Sequence, residues 1–317
     1  MRLLFITSTR IGDAVLSSGL LAHLIQNSPE CRVTIACGVD AVPVFEAVPG
    51  IERIIPIKKY PVGMHWPQLW LKLVTKRWNI VVDLRSSLIS WLLIANRRLV
   101  LHRKKENVHR VVEIGSLADS AKIPAPCLWI PQASKLSANA VLPKDKFIVI
   151  APTANWRGKQ WPGDRFAELA RRIVSENGVL PGASVVILGA HAERVEAQCM
   201  VDYLSEIPFV NLVGELKLMA SAAVIQKSSL FIGNDSALMH IAAAAGVPTL
   251  GLFGPSKETH YAPWGINCGF QRTLLSYDNL TSSKGYNHLT TDTLMGSLTV
   301  DMAEEAVRSL WSRVNIK

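Results

Sequence analysis

Four loops of this 317-residue chain place polar side chains directly after apolar, strand-like runs. The most distinctive is I-G-N-D-S-A-L-M-H-I-A-A-A-A-G-V-P at residues 232–248, where Asp235 and Ser236 precede a helical pattern that contains His240. The first amides of a helix lack an acceptor inside the helix, and together with the helix dipole they bind phosphate groups. The stretch therefore predicts an anion site. The alternative is plain capping by Asp235 or Ser236 and a histidine that belongs to the core.

The loop at residues 8–13, S-T-R-I-G-D, combines a cation, a glycine and a carboxylate. Gly12 lets the backbone approach a ligand closely, and Asp13 stands where a helix N-cap is expected. Asp13 is a candidate general base, although a helix N-terminus favours its ionised form and so lowers its basicity. Helix capping explains the same residue without any chemistry.

Two further loops carry charged side chains. Residues 152–162, P-T-A-N-W-R-G-K-Q-W-P, place Asn155 and Lys159 after a strand, which suits an anion, and an ordinary surface loop explains them equally well. Glu193 follows another strand, where a carboxylate accepts hydrogen bonds from ribose hydroxyls or simply supplies negative charge to the first turn of a helix.

Apolar runs that alternate with helical patterns must position these loops. Such runs form parallel strands that are buried on both faces. Strands are predicted at residues 3–6, 32–36, 54–57, 79–84, 147–151, 184–189, 230–232 and 249–253, and helices at 14–26, 66–77, 164–175, 192–204, 218–227 and 301–314. Ligands of open parallel sheets bind beyond the carboxyl ends of the strands, which is where all four loops lie.

The pattern stops and restarts once, around a proline-rich stretch at residues 124–143. The sequence thus predicts an α/β protein with two doubly wound domains, the first over residues 1–130 and the second over 147–300, joined by a linker at 131–146. The last helix, within residues 301–317, fits either domain, and a return to the N-terminal domain is one of the two options.

The positive charge of the chain is confined to its first half. Residues 1–146 carry 20 Lys and Arg against 10 Asp and Glu, whereas residues 147–317 carry 14 against 15. Arg97, Arg98 and Arg103 belong to a basic cluster in this half. The cluster is either a solvated face or a docking surface for an anionic partner such as phosphorylated lipid, a membrane surface or nucleic acid.

The composition points to a globular protein, because 49% of the residues are hydrophobic and 19% are charged. The longest apolar run, at residues 88–95, is far below the roughly 20 residues of a membrane span, and the N-terminus has no signal-peptide core. We therefore expect a cytoplasmic protein. The motifs of dinucleotide-binding dehydrogenases, P-loop NTPases, zinc proteases and serine hydrolases are missing, as is any recognised nucleic-acid motif, so no nucleic-acid partner is expected.

Taken together, three motifs resemble glycosyltransferase family 9, the ADP-heptose:lipopolysaccharide heptosyltransferases. They are R-x-G-D at residues 10–13, A-x-x-x-x-x-x-x-K-x-W-P at 151–162, and G-N-D-S-x-x-x-H-x-A-A-x-x-G-x-P at 233–248 followed by L-F-G-P. The resemblance implies the GT-B fold, in which two Rossmann-like domains face each other across a cleft. It also implies an inverting transfer of heptose from ADP-heptose to the lipopolysaccharide inner core, with neither a metal nor a cofactor.

The resemblance assigns roles by motif. Asp13 is similar to the base that deprotonates the acceptor hydroxyl, and Lys159, with Asn155 beside it, is similar to the lysine that neutralises the donor diphosphate. The remaining donor roles fall to the phosphate-binding amides of Ser236, Ala237 and Leu238, to Asp235 for the sugar hydroxyls, to His240 for the phosphate loop or the sugar, to Glu193 for the ribose and to Leu216 for the adenine pocket.

The resemblance also gives the basic first half a partner, the anionic core of a membrane-anchored lipid. Arg10, Gly12, Arg97, Arg98 and Arg103 are the acceptor-side candidates. Three tryptophans interleaved with basic residues are candidates for contact with the inner membrane surface, with core packing as the alternative: Trp66, Trp70 and Trp78.

Two positions depart from the family pattern. Gly19 stands where proline is common, which is expected to affect only helix geometry, and Ala237 stands where glycine is common, which narrows the phosphate loop by one methyl group. Two other functions remain open: a family-9 enzyme with a different donor or acceptor, and a non-catalytic protein that binds a nucleotide-sugar or an anion.

Overall fold

The computed structural model describes residues 1–58, 63–102, 107–204, 206–282, 286–287 and 290–315. The chain divides into two compact units, Met1–Pro131 and Gln132–Lys317, which are called the first and the second domain below. Each domain is built on a parallel sheet with helices packed against it, as the continuous apolar runs predict.

The sheet of the first domain has the strand order β3-β2-β1-β4-β5, and every pairing is parallel. The order reverses between β1 and β4, so the loops that follow these two strands leave the sheet side by side. The strands are β1 (Arg2–Ile6), β2 (Arg32–Gly38), β3 (Ile51–Ile57), β4 (Trp78–Asp83) and β5 (Ala95–Val100), and the helices are α1 (Ile11–Gln26), α2 (Val42–Phe45), α3 (His65–Leu73) and α4 (Arg110–Gly115).

The second domain has the parallel order β11-β10-β9-β6-β7-β8, which is the Rossmann order with its reversal between β6 and β9. Its strands are β6 (Phe147–Ala151), β7 (Ser184–Ile187), β8 (Phe209–Asn211), β9 (Leu230–Asn234), β10 (Thr249–Phe253) and β11 (Cys268–Arg272). Its helices are α5 (Gln132–Asn139), α6 (Gly163–Val174), α7 (Arg194–Asp202), α8 (Leu218–Lys227), α9 (Ala237–Ala244), α10 (Glu258–Tyr261), α11 (Tyr277–Thr281) and α12 (Val300–Asn315).

Two predicted boundaries differ from the structure. Much of the predicted linker is helix α5, which packs on α8 and belongs to the second domain. The last helix, α12, packs on α6, β10 and β11, and its Ala303, Val307 and Leu310 are fully buried in the core of the second domain. Of the two options for this helix, the structure supports the second domain, because the apolar face of α12 is used in the core of that domain.

Three strands, β5, β8 and β11, are not among those predicted from the sequence. Each lies at an edge of its sheet, where one side has no neighbouring strand among the described residues and nearly all side chains are partly or fully exposed. Polar and basic residues therefore interrupt the apolar run from which a strand is recognised. Trp78 is corrected as well: it is 2% exposed and donates from Nε1 to the Leu73 carbonyl, so it is a core residue and not a surface one.

Gly19 is required by packing and not by helix geometry. A Cβ atom there would lie 2.4 Å from the carbonyl oxygen of Pro124 and 2.5 Å from that of Ala125. We expect Gly19→Ala to lower the free energy of unfolding by about 2 kcal/mol, because overpacking costs more than the roughly 1 kcal/mol that alanine gains in a helix interior. Chemical denaturation measures this. Gly296→Ala is the control, since among the described residues no atom beyond its two chain neighbours lies within 4 Å of that added Cβ. Equal stability of both variants would refute the packing argument.

An ion-pair network joins α6 to α12. Arg172 contacts Glu168 at 2.8 Å, Asp301 at 2.6 Å and Glu304 at 3.1 Å. Hydrogen bonds from Arg171 and Arg172 lower the pKa of Glu168, and bonds from Arg308 and Arg172 lower the pKa of Glu304. A carboxyl group whose pKa is lower in the folded than in the unfolded protein stabilises the fold at pH values above its unfolded pKa. This stabilisation is lost as the pH falls through the folded pKa.

We therefore expect Arg172→Met to cost about 1 kcal/mol of unfolding free energy at neutral pH. The difference from the wild type should begin to shrink near the ordinary glutamate pKa of about 4.3 and vanish only after the pH has fallen through the lowered pKa values of Glu168 and Glu304. Thermal unfolding across this pH range measures the effect. Lys76→Met is the control, because Lys76 makes a single pair with Glu52 and should change stability by less than about 0.5 kcal/mol. A difference that persists undiminished in acid would show that Arg172 acts by packing alone.

Among the described helices, none combines the length and the apolar character that crossing a membrane requires.

Candidate functional site

Asn234 joins the two loops that lie at the strand-order reversal of the second domain. It ends β9, is 0% exposed, and donates from Nδ2 to the Pro152 carbonyl at 2.7 Å. Its Oδ1 accepts from the Trp161 amide at 3.1 Å, so one side chain holds both ends of the loop that carries Lys159. This role of Asn234 was not predicted from the sequence. The sequence did contain one indication of this role. Asn234 places a side-chain amide at the end of a buried strand, and a buried amide needs hydrogen-bond partners from neighbouring elements.

The other side of this loop is held by the segment 292–298. Thr293 donates from its hydroxyl to the Gln160 carbonyl at 2.5 Å, and the Leu294 amide donates to the Gly158 carbonyl at 3.1 Å. Arg157 pairs with Asp292 at 2.7 Å and thereby lowers the pKa of that carboxyl. The loop is therefore anchored on both sides, unlike an ordinary surface loop.

An ion pair between Lys159 and Asp235 lies at this reversal, and together with the neighbouring His240 it is called the charged cluster below. Lys159 Nζ is 2.5 Å from Asp235 Oδ2, and His240 Nε2 is 3.8 Å from Asp235 Oδ1. The side chains are 18%, 7% and 5% exposed, so the ion pair is largely removed from water. Removing an ion pair from water costs free energy, and charged groups held in this way occur often at functional sites. The pair is therefore a candidate for function.

Helix α9 begins beside the charged cluster without a side-chain cap. Ser236 occupies the N-cap position in extended backbone, yet its side chain makes no capping hydrogen bond, and its buried Oγ has no partner within the described residues. The alternative of plain capping by the Ser236 side chain is therefore not realised. The amides of the first turn, which includes Ala237 and Leu238, lack acceptors inside the helix and are available to an anion.

Glu193 is held at the end of β7 by two hydrogen bonds to its Oε2 atom. Thr153 donates from its hydroxyl at 2.9 Å, and the Ala190 amide donates at 2.7 Å. Gly189 leaves room for these two hydrogen bonds. A Cβ atom at this position would lie 3.2 Å from Glu193 Oε2 and 3.3 Å from the Thr153 hydroxyl, which is closer than an ordinary contact. Thr153, which the sequence analysis did not select, thus connects the Lys159 loop to Glu193.

Two other donor-side candidates lie apart from these contacts. Leu216 is half-buried between β8 and α8, on the same edge of the sheet. Asn155 is exposed on the loop after β6, and its side chain makes no hydrogen bond within the described part of the chain. No group of three or more His, Cys, Asp and Glu side chains suited to a metal ion occurs among the described residues.

In the first domain, Asp13 lies in the first turn of α1 and not at its cap. The helix begins at Ile11 with Arg10 in the N-cap position, so Asp13 is its third residue. The Ser8 hydroxyl donates to Asp13 Oδ2 at 3.2 Å, and the carboxylate is partly exposed after the end of β1. Gly12 precedes it in the same turn, half-buried, and Arg10 is exposed.

The basic residues of the first domain separate into different roles. Arg97 is exposed on the edge strand β5. Arg98, predicted to face the acceptor, instead donates to the carbonyls of Ser90, Leu93 and Ala95 at 2.8, 2.6 and 3.2 Å. Its guanidinium shapes the segment before β5, and this structural role replaces the predicted one. Arg103 lies outside the described residues.

Comparison with known proteins identifies the group that this chain resembles. The family described as Glycosyltransferase family 9 (heptosyltransferase) matches residues 69–279. A curated relative, lipopolysaccharide heptosyltransferase 3 of Escherichia coli, is 25% identical over 293 residues, which cover 81% of this chain and 83% of the relative.

Two solved structures share the fold over nearly all of the chain. A glycosyl transferase family 9 protein from Veillonella parvula superposes with a TM-score of 0.79 at 20% identity, covering 98% of this chain and 97% of that one. The ADP-heptose lps heptosyltransferase II of E. coli superposes with a TM-score of 0.71 at 20% identity, covering 99% of each chain. The predicted family resemblance and the predicted GT-B fold class are confirmed.

Proposed function

Because the chain belongs to glycosyltransferase family 9, we propose that it transfers a heptose from ADP-heptose to the inner core of lipopolysaccharide. The observation that carries the proposal is the charged cluster next to the uncapped start of α9, at the strand-order reversal of a Rossmann sheet. A cation and free amides at that place suit a diphosphate. The names of the relatives, which mention lipopolysaccharide and ADP-heptose, support the choice of sugar and acceptor.

The donor diphosphate is proposed to bind Lys159 and the first amides of α9. An ammonium group has three N–H donors, so Lys159 keeps its contact with Asp235 while it donates to a phosphate oxygen. The second carboxylate oxygen of Asp235 is then directed to the sugar hydroxyls, with His240 beside it. Glu193 has one carboxylate oxygen fixed by Thr153 and Ala190, and its other oxygen accepts from the ribose.

The transfer is proposed to invert the configuration at the anomeric carbon. Asp13 takes the proton of the acceptor hydroxyl, whose oxygen bonds to the anomeric carbon as the bond to the ADP oxygen breaks. Because the anomeric carbon becomes oxocarbenium-like, the hydroxyl is deprotonated only late, and a carboxylate of modest basicity suffices. Lys159 and the α9 amides stabilise the charge that develops on the departing diphosphate.

The same cation and amides support a reaction without a metal ion, because they supply the positive charge that a metal would otherwise bring to the diphosphate. We expect the initial rate to be unchanged after incubation with EDTA. A loss of activity that an added divalent cation restores would overturn this part of the proposal.

The acceptor is proposed to bind the first domain, whose excess of Lys and Arg suits an anionic core. An acceptor anchored in the cytoplasmic leaflet places the enzyme in the cytoplasm with peripheral contact to the inner membrane. Arg10 and Arg97 are exposed there and remain the acceptor-side candidates among the described arginines.

Calorimetric titration tests the donor. We expect ADP-heptose to bind more tightly than UDP- or GDP-sugars, and tighter binding of a UDP-sugar would overturn the proposal in favour of a family-9 enzyme with another donor. Turnover with a heptose-deficient lipopolysaccharide tests the acceptor. Donor binding without turnover would favour a non-catalytic protein that binds a nucleotide-sugar.

A further inference from the structure

A pocket of about 600 Å³ opens in the first domain near the end of β4. Its walls are the rings of Trp66 and Trp70 and the side chains of Leu88, Ile89 and Leu92, with Arg85 among them. Since β1 and β4 are neighbours at the strand-order reversal, the pocket lies at the edge of the sheet from which the Asp13 loop also leaves. The donor site proposed above does not use any of these residues.

Arg85 places a guanidinium with an unpaired hydrogen-bond donor in this apolar pocket. Its guanidinium lies over the Trp66 ring at 4.7 Å, and its buried Nη1 has no hydrogen-bond partner within the described residues. Burial lowers the pKa of Arg85, and nearby Asp83 opposes this effect. The carboxylate of Asp83 is itself occupied by the amides of Arg85 and Ser87 and by the Ser87 hydroxyl. The guanidinium therefore has donors left for an anion.

The rim of the pocket exposes large apolar side chains on an anchored loop. Leu88 is 80% exposed, Trp91 60% and Leu92 63%. The loop that carries these side chains, residues 88–95, is fixed by hydrogen bonds to its carbonyls. Arg98 donates three of them, and Trp70 donates from Nε1 to the Leu92 carbonyl at 3.2 Å. A loop that is fixed by polar contacts and yet displays apolar side chains marks an interaction surface.

We propose that this pocket and its rim bind an anionic phospholipid at a bilayer surface. The phosphate is held by Arg85, the acyl part lies against Trp66 and Trp70, and Leu88 and Trp91 enter the bilayer interface. Apolar walls with one guanidinium among the described lining residues match an anionic amphiphile, whereas a sugar would find few partners for its hydroxyls. The charge of the domain agrees with this, since residues 1–131 carry 17 Lys and Arg against 9 Asp and Glu.

This inference deepens the proposed membrane contact by naming its site and its lipid, and it rests on that part of the proposed function. Its test contains neither donor nor acceptor. Failure of lipid binding therefore leaves the proposed reaction standing, and failure of the reaction leaves lipid binding standing.

Sedimentation with vesicles tests the site in the full-length protein. We expect wild type to sediment with phosphatidylcholine vesicles that contain phosphatidylglycerol, and less with phosphatidylcholine alone. Leu88→Ser/Leu92→Ser should reduce the bound fraction at a given lipid concentration by about tenfold, because each leucine loses the apolar area that enters the bilayer. Arg85→Gln should abolish the preference for phosphatidylglycerol.

Exposed apolar residues of the second domain supply the matched control. Ile266 and Leu274 are each 74% exposed, and Ile266→Ser/Leu274→Ser should bind vesicles as the wild type does. Acyl chains brominated near the headgroup should quench the tryptophan fluorescence of wild type but not of Leu88→Ser/Leu92→Ser. All variants should keep the wild-type far-UV circular dichroism spectrum and thermal unfolding midpoint, which verifies that they fold.

The proposal is overturned if wild type stays in the supernatant, or if both double variants lose binding equally. It is also overturned if the protein binds without quenching, since binding would then be electrostatic adsorption alone. If Arg85→Gln keeps the full preference for phosphatidylglycerol, Arg85 does not hold the phosphate. Recovery of a protein partner on this surface in place of lipid would likewise refute it.

Discussion

Lys159→Met is expected to lower kcat/KM for the nucleotide-sugar by about 10²–10³-fold, because it removes the cation proposed to neutralise the diphosphate of the donor and of the leaving group. The same change leaves Asp235 buried without its ion-pair partner, since that side chain is only 7% exposed. We therefore also expect the free energy of unfolding to fall by about 3 kcal/mol. Steady-state kinetics and chemical denaturation measure the two effects.

A second variant separates these two losses. In Lys159→Met/Asp235→Asn the buried carboxylate is neutral, so stability should recover substantially while the affinity for ADP stays low. Lys159→Arg keeps the charge and should retain part of the activity. If Lys159→Met bound ADP as tightly as wild type and lost only stability, the lysine would be a structural partner of Asp235 and the diphosphate would bind elsewhere.

Asp13→Asn is expected to lower kcat by about 10²–10⁴-fold, because asparagine keeps the shape of the side chain but cannot take the acceptor proton. The affinity for ADP should not change, because the residues proposed to bind the donor belong to the second domain. Single-turnover kinetics with a saturating donor and a heptose-deficient acceptor measure the chemical step directly.

Asp164→Asn is the matched control for this change. Asp164 is an exposed acidic residue in the first turn of α6, as Asp13 is an acidic residue in the first turn of α1. Both substitutions remove the same favourable interaction with a helix dipole, which contributes less than about 1 kcal/mol at such sites. Asp164→Asn should therefore keep the wild-type rate. A comparable rate for Asp13→Asn would mean that Asp13 only stabilises its helix.

The central strands and most helices could be predicted from the sequence because their signals are local. The four residues Leu3, Leu4, Phe5 and Ile6 are consecutive, apolar and 0% exposed, as expected of a short strand that is covered on both faces. The edge strands β5, β8 and β11 carry no such signal, since water replaces one neighbour and the apolar run is broken. Helix α5 was mistaken for linker because its contact with α8 is decided by residues far along the chain.

The candidate site was predictable as a set of motifs but not as an arrangement. Lys159 and Asp235 are 76 residues apart, and they meet because β6 and β9 pair side by side. The joining role of Asn234 and the link from Thr153 to Glu193 arise from the same pairing. Likewise, the missing side-chain cap on α9 depends on where the Ser236 side chain is directed, which residue type alone does not specify.

By itself, therefore, the sequence determined the alternation of strands and helices, the family and the residues to which its motifs assign chemistry. Only the tertiary structure decided which basic and aromatic side chains are free to bind a partner. Arg98 is committed to three carbonyls and Trp78 to the core, whereas Arg85 lines an apolar pocket with an unmet donor. The physical reason is that burial and hydrogen-bond partners come from segments distant in the chain, so residue type and local spacing do not contain them.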